Sequence, residues 1–270
     1  MPDLLAPSTV RTLRIAGLLV WLTGLAGVAT KTAAQARLPE LKTRATTPCE
    51  IHPETAAETA DLWLSAQAAL ASSTASDSNP PLLLIQKWRR TLTRSLSLIY
   101  ERRDTSLVTT RQPFGTKTPS NLERVGYVQR MFHSVIFYGP DPDEIITERF
   151  LRQHCFRRVP GSGATEGLVG LAFDPLPRQT NPDVSGTLWI DPKTGALRHV
   201  EYGWTNPPFW ADQGKARGRT DFVRLADGGW VTQRWYIRLP KLAEGYDFSG
   251  YVEEGGELLA VGPPTPRRKP

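Results

Sequence analysis

The chain reads as α+β, mainly β: a long antiparallel meander forming a curved sheet or partial barrel, with an N-terminal helix packed on it. Three observations predict this. A single Ala-rich segment, 55–72, carries helical periodicity. From Leu82 onward the chain switches to β-branched and aromatic stretches. Short connections rich in Pro, Gly and Asp separate those stretches, as turns require. One amphipathic helix followed by many strands needs a sheet face to bury against.

The first 36 residues read as a leader. Arg11 and Arg14 precede the apolar run Ile15 to Ala29, and Ala34-Gln35-Ala36 follows. That is a positive region, a short apolar region and a small-x-small cleavage site. The run is shorter than the roughly 20 residues that span a bilayer, so an uncleaved anchor is the weaker reading. No cysteine follows it closely and the two arginines are not adjacent, which points away from lipoprotein and twin-arginine processing. Cleavage after Ala36 predicts an exported protein, in the periplasm or associated with the outer membrane. Residues 37–54, with Pro39, Pro48 and Pro53, read as a linker.

Thr55 sits three residues before Glu58, the spacing of a capping box. Trp63, Ala66 and Leu70 then share one helical face that should meet something large. Strands are expected at 82–93, 95–109, 125–128 and 135–138. Asp141-Pro142-Asp143-Glu144 opens a helical turn through Thr147. A short buried strand is expected at 167–173. The segments 184–190 and 197–204 flank Asp191-Pro192-Lys193-Thr194-Gly195, a hairpin signature. A second hairpin joins 219–225 to 230–239 through Asp227-Gly228-Gly229. The segments 246–253 and 257–261 close the sheet, making 55–261 one domain. Residues 262–270, Pro-rich and basic, read as a disordered tail.

The formal net charge is +6. Losing Arg11, Arg14, Lys31 and Asp3 with the leader brings it to +4. That is mild, and no nucleic-acid module appears, so nucleic acid is not an expected partner. In an exported chain, the two cysteines, Cys49 and Cys155, form a disulfide by default. The competing reading is a thiol activated by the adjacent His154, but neighbours on a strand point to opposite faces.

Candidate chemistry is sparse. His52, His133, His154 and His199 show no metal-ligand spacing. A zinc site from His133, His154 and Asp141 has no support in spacing, so neither a metal nor another cofactor is expected. Ser162, in Gly161-Ser162-Gly163, lacks the strand–turn–helix context of a nucleophile. Glu201 and Asp221 lie on neighbouring expected strands. They could act as a glycosidase pair, or simply join cross-strand ion pairs. The chain therefore reads as non-catalytic, with a secreted glycan hydrolase as the alternative.

Aromatic density is the stronger signal. Trp189, Tyr202, Trp204, Phe209, Trp210, Phe222, Trp230, Trp235 and Tyr236 fall close together. Strict alternation on the last long strand puts Val231, Gln233, Trp235, Ile237 and Leu239 on one face. Trp230, Thr232, Arg234, Tyr236 and Arg238 then share the other, an amphipathic mixture. The candidate ligand-binding set is Trp204, Phe209, Trp210, Trp230 and Tyr236, with the long loop 206–217 at its mouth. The expected partner is an apolar or amphipathic small molecule or an envelope protein, with peripheral membrane association compatible. A purely structural or interaction module is the third reading.

Five segments carry a resemblance: 59–70 (TADLWLSAQAAL), 138–156 (YGPDPDEIITERFLRQHCF), 167–175 (GLVGLAFDP), 186–202 (GTLWIDPKTGALRHVEY) and 229–240 (GWVTQRWYIRLP). Together they resemble a family of exported bacterial proteins usually called carboxypeptidase regulatory-like domain-containing proteins. The small regulatory module has no room here, since about 20 residues separate Ala36 from the helix. The resemblance implies an exported protein and no catalytic residues. The hairpin G-x-L-W-x-D…T-G-x-L is also similar, more loosely, to periplasmic lipoprotein-carrier folds. That similarity implies a curved sheet holding an apolar ligand against helices.

Overall fold

The computed structural model describes residues 49, 53–74, 81–111, 122–131, 134–177, 180–207, 215–242 and 247–264. The expected leader, most of the linker, the loop tip with Phe209 and Trp210, and residues 265–270 lie outside them.

Among the described residues the fold is one nine-stranded antiparallel sheet, one long helix and a small two-stranded hairpin. The helix α1, Pro53–Thr74, starts two residues earlier than its capping-box signal. Proline suits the first helical position, where its missing N–H costs nothing. β1, Pro81–Leu92, and β2, Leu98–Val108, form the first hairpin. Then come a helical turn α2, Leu122–Val125, the hairpin strands β3, Val128–Met131, and β4, Ser134–Phe137, and the short helices α3, Pro142–Ile145, and α4, Glu148–Gln153. The strand expected at 125–128 thus begins only at Val128, after Gly126 breaks the helical turn at φ +78°.

The meander follows: β5 His154–Pro160, β6 Val169–Pro175, β7 Asp183–Ile190, β8 Leu197–Thr205, β9 Arg217–Arg224, β10 Trp230–Leu242 and β11 Phe248–Pro264. Strand order is β2-β1-β11-β10-β9-β8-β7-β6-β5. The first hairpin therefore joins the last strand. The chain between β2 and β5 crosses from one edge of the sheet to the other. No described strand links those two edges, so the sheet is open rather than a closed barrel.

Both expected turns form. Asp191 accepts the backbone N–H of Lys193 at 2.9 Å, and Gly195 takes φ +67°. Gly228 takes φ +85° in the next hairpin. The two final strands expected at 246–253 and 257–261 are instead one 17-residue strand that reaches Pro264, into the segment read as tail.

The main core lies between α1 and β5–β9. Trp63, Ala66, Ala69 and Leu70 of the helix meet Leu171, Phe173, Val184, Leu188, Val200 and Phe222 of the sheet. Leu122, Tyr127, Ile145 and Phe150 of the crossover complete it. The crossover thus runs over the same face as the helix. Trp63 is only 6 % exposed and meets Phe156 edge-on at 5.4 Å between centroids. The helix side of β5–β9 is filled by protein.

A second cluster, Leu83, Ile85, Val231 and Trp235, serves the β1–β10 region. There, and at two other points, an aromatic ring lies on a glycine directly across the strand pair. Trp88 faces Gly255, Trp235 faces Gly256, Tyr202 faces Gly218 and Trp189 faces Gly170. A Cβ added to Gly255 would sit 2.5 Å from the Trp88 ring. One added to Gly256 would sit 2.2 Å from Trp235. Glycine leaves room for the ring to cover backbone that would otherwise be bare.

Candidate functional site

Register pairs place the residues of the helix-free face in rows across the sheet. One row runs Thr187, Glu201, Arg219, Tyr236, Gly255, Trp88, Arg103 over seven strands, β7 to β2. The next runs Trp189, His199, Asp221, Arg234, Glu257, Gln86, Thr105. A third holds Arg238, Glu253, Arg90 and Glu101. This face is polar because alternation sends every second residue of each strand away from the core.

The third row is a closed ion-pair ladder. Arg90 donates to Glu101 at 3.2 Å and to Glu253 at 3.0 Å, and Arg238 donates to Glu253 at 2.6 Å. Glu253 is 5 % exposed and has a guanidinium on either side, the condition under which a buried carboxylate is tolerated. Arg90 and Arg234 lie over the Trp88 ring at 5.0 and 5.5 Å from its centroid.

The first two rows border two open hollows. One, of ≈ 420 Å³, is lined by Ser185, Thr187, Glu201, Trp204, Arg217 and Tyr236 among others. The other, of ≈ 570 Å³, is lined by Arg219, Asp221, Gln233, Arg234, Tyr236, Glu257 and Leu258. Tyr236 borders both. Arg217 and Arg234 make no ion pair among the described residues, so each hollow has an arginine beside Tyr236 with no carboxylate on it, Arg234 resting on the Trp88 ring.

The candidate ligand-binding residues are divided by this geometry. Tyr236 stands between the hollows, with the Arg238 guanidinium 5.5 Å from its ring centroid. Trp204 borders the first hollow but is anchored on the helix side: its indole N–H donates to the Tyr138 carbonyl at 2.8 Å and its ring meets Phe137 at 5.3 Å. Trp230 packs on the main core, and its backbone N–H donates to the Ser72 hydroxyl at 3.3 Å. A β-bulge explains the split. Thr232 pairs with Phe222 and Arg234 with Asp221, which leaves Gln233 extra. The extra residue shifts alternation, so Trp230 and Thr232 point to the helix side and Tyr236 to the other. Strict alternation along β10 is thereby corrected. Phe209 and Trp210 lie outside the described residues.

The two candidate carboxylates are occupied. Glu201 accepts the Trp189 indole N–H at 2.9 Å. Asp221 is held by Arg219 through contacts of 2.6, 2.9 and 3.2 Å. Between them His199 is buried, and its Nε2 has no hydrogen-bond partner. Burial pushes its pKa below the ordinary imidazole value, and the Arg219 guanidinium adds to the effect. Tyr202 lies between Gly139 and Gly218, and burial raises the pKa of its hydroxyl well above the ordinary range.

Cys49 and Cys155 are bonded, with Cα atoms 5.4 Å apart. His154 is not a thiol's base. Its ring stacks on Phe150 at 3.9 Å, with Nδ1 2.9 Å from the Phe150 carbonyl oxygen and Nε2 3.2 Å from that of Val184. Ser162 opens a single 3-10 turn and its backbone N–H donates to the Thr165 hydroxyl at 3.0 Å. Among the described residues no three His, Cys, Asp or Glu side chains converge as a metal ion would need; His133 lies outside them. No described helix is long and apolar enough to cross a membrane.

Sequence reasoning missed the bulge and the Arg217–Tyr236–Arg234 grouping. The register between β9 and β10 brings that grouping together, and no local spacing encodes it. α4 and β5 were also unread, although Thr147 followed by Glu148 and Phe150 is a capping signal: the Thr147 hydroxyl accepts the Phe150 N–H at 3.1 Å.

No protein-family model matches the chain, and no curated protein matches it. The resemblance to the carboxypeptidase regulatory-like proteins therefore stands on the five quoted segments alone. Among solved structures, the chain is similar to a LolA superfamily protein from Nitrosomonas europaea. Identity is 11%, the match covers 76% of this chain and 94% of that one, and the TM-score is 0.30. So loose a superposition says nothing about a ligand.

Proposed function

We propose that this is a non-catalytic, exported cell-envelope protein that binds an amphipathic ligand with an anionic group on its helix-free sheet face. The observation that carries the reading is Tyr236 between two open hollows, with Arg217 on one side and Arg234 on the other, neither in an ion pair among the described residues. An aromatic face takes the apolar body of such a ligand, and a guanidinium takes its head. A purely apolar ligand is less well served there, because the apolar side of β5–β9 is already filled by α1 and the crossover. Glu201 and Asp221 serve as acceptors for Trp189 and Arg219, which favours the structural reading of those carboxylates over hydrolysis.

The test is titration of the purified chain with palmitate and with lysophosphatidylglycerol below their micellar concentrations, followed by tryptophan fluorescence. Saturable binding is expected. Tyr236→Ala and Arg234→Ser should each weaken it about tenfold, the loss of a well-placed stacking or charged contact. Absence of binding by the parent chain, or affinity untouched by both variants, would sink the reading.

A further inference from the structure

Among the described residues β2 is the unpaired edge at one end of the sheet, and it is eleven residues long. Its outward apolar content is unusual for an edge: Leu98, Ile99, Tyr100 and Leu107 are 57–62% exposed. Between these ends stand four charged residues, Glu101, Arg102, Arg103 and Asp104. Charge on an edge strand normally repels other strands. Here the order of charges is self-complementary.

We infer that β2 pairs antiparallel with β2 of a second copy of this chain, about a two-fold axis through Arg103, joining two sheets into one. The geometry restricts the choice. A two-fold that sets identical strands side by side runs normal to the sheet and keeps each side chain on its own face. Directly opposed residues must then share parity, so the axis passes through a residue and not between two.

Three axes lie near the strand centre. Through Arg103, all eleven residues overlap. Arg102 then faces Asp104 of the second copy, twice by symmetry. The Leu98–Ile99 end meets the Leu107–Val108 end, also twice. Through Asp104, Glu101 would face Leu107. Through Arg102, Ile99 would face Thr105, and Leu107 and Val108 would leave the overlap. Only the Arg103 axis matches charge with charge and apolar with apolar.

The groups needed are available. Arg102 makes no ion pair among the described residues, and the Asp104 carboxylate accepts only the neighbouring Thr105 N–H, at 3.0 Å. Ile99 has no register partner on β1. The two Arg103 side chains would meet at the axis, but each is already neutralised by Glu101 of its own chain and donates to Gln86 at 3.1 Å. Through Asp104 two carboxylates would meet at the axis, and through Arg102 Glu101 would face Arg103 but the apolar ends would not meet.

Sedimentation velocity over a concentration series tests the inference. The purified chain should show a reversible monomer–dimer equilibrium. Arg102→Asp and Asp104→Arg should each weaken the dimer at least about tenfold, since two attractive cross-strand pairs become repulsive. Arg102→Asp/Asp104→Arg together should restore it. Within the chain position 102 faces Arg89 and position 104 faces Lys87, so Arg102→Asp gains a cross-strand partner while Asp104→Arg loses one, and urea midpoints of the monomers separate folding from pairing. Ile99→Lys breaks the apolar ends independently and should weaken the dimer without rescue by either charge change. A chain monomeric at every concentration overturns the inference. So does a dimer indifferent to the single reversals or unrestored by the double one.

Discussion

Leu188 and Thr187 are neighbours on β7, yet they belong to different parts of the molecule. Leu188, Val200 and Phe222 face α1 and are buried among apolar groups. Thr187, Glu201 and Asp221, one residue away on the same three strands, face the open hollows. The strands, the backbone and the hydrogen bonds are shared; only the parity differs. The lesson is that packing and the proposed binding fall on the two sides of one sheet, and substitutions should separate accordingly.

The largest effect is expected in the filled side. Phe173 is fully buried and meets Phe150 edge-on at 5.4 Å, so Phe173→Ala should cost about 3–5 kcal/mol by urea denaturation. The disulfide comes next. Its cysteines are 106 residues apart, and replacing both with Ser should cost about 2–4 kcal/mol, the usual worth of a disulfide, read as a lower urea midpoint that reductant no longer moves. Gly255→Ala pushes a methyl into Trp88, and overpacking of this kind costs about 1–3 kcal/mol. Destabilisation by Gly255→Ala in a Trp88→Leu background as large as in the parent would show that the ring is not the cause.

A smaller effect concerns pH. His199 has its pKa lowered by burial from 6.5, so the folded chain binds fewer protons there than the unfolded one. Its contribution is present above pH 6.5 and is lost as pH falls through the depressed folded value. His199→Gln should therefore narrow its stability gap to the parent between neutral pH and about pH 5. A gap constant with pH would remove His199 as the cause. The smallest effect is Thr187→Ala on the open side, expected within about 0.5 kcal/mol of the parent. A cost rivalling that of Phe173→Ala would dissolve the distinction between the faces.

Much of this architecture was legible in the sequence. The helical period through Trp63, Ala66 and Leu70 predicted the face that is buried, and the Asp191–Gly195 and Asp227–Gly229 turns predicted their hairpins. Gly255-Gly256 misled, because paired glycines read as a turn. In the fold they are the two places where Trp88 and Trp235 lie flat, one on each face, and the strand continues through them. The bulge at Gln233 was equally invisible: an extra residue has no local signature, and it moves Trp230 away from Tyr236. Neither the joining of β1 to β11 nor the row through Arg219 and Tyr236 could be read from spacing, since both depend on which strands become neighbours.

That joining of first hairpin to last strand also has a consequence in time. β1 and β2 are made early, but the strand that completes β1 is the last of the sheet to be made. Until then the hairpin can close only on itself, with the inner edge of β1 waiting for a distant partner. Contacts of such long sequence separation are slow to form, and an unpaired edge is exposed to other chains meanwhile. Folding of the sheet should thus wait for β11 rather than progress from the N-terminus, and the docking of β11 should be the event that commits the whole sheet.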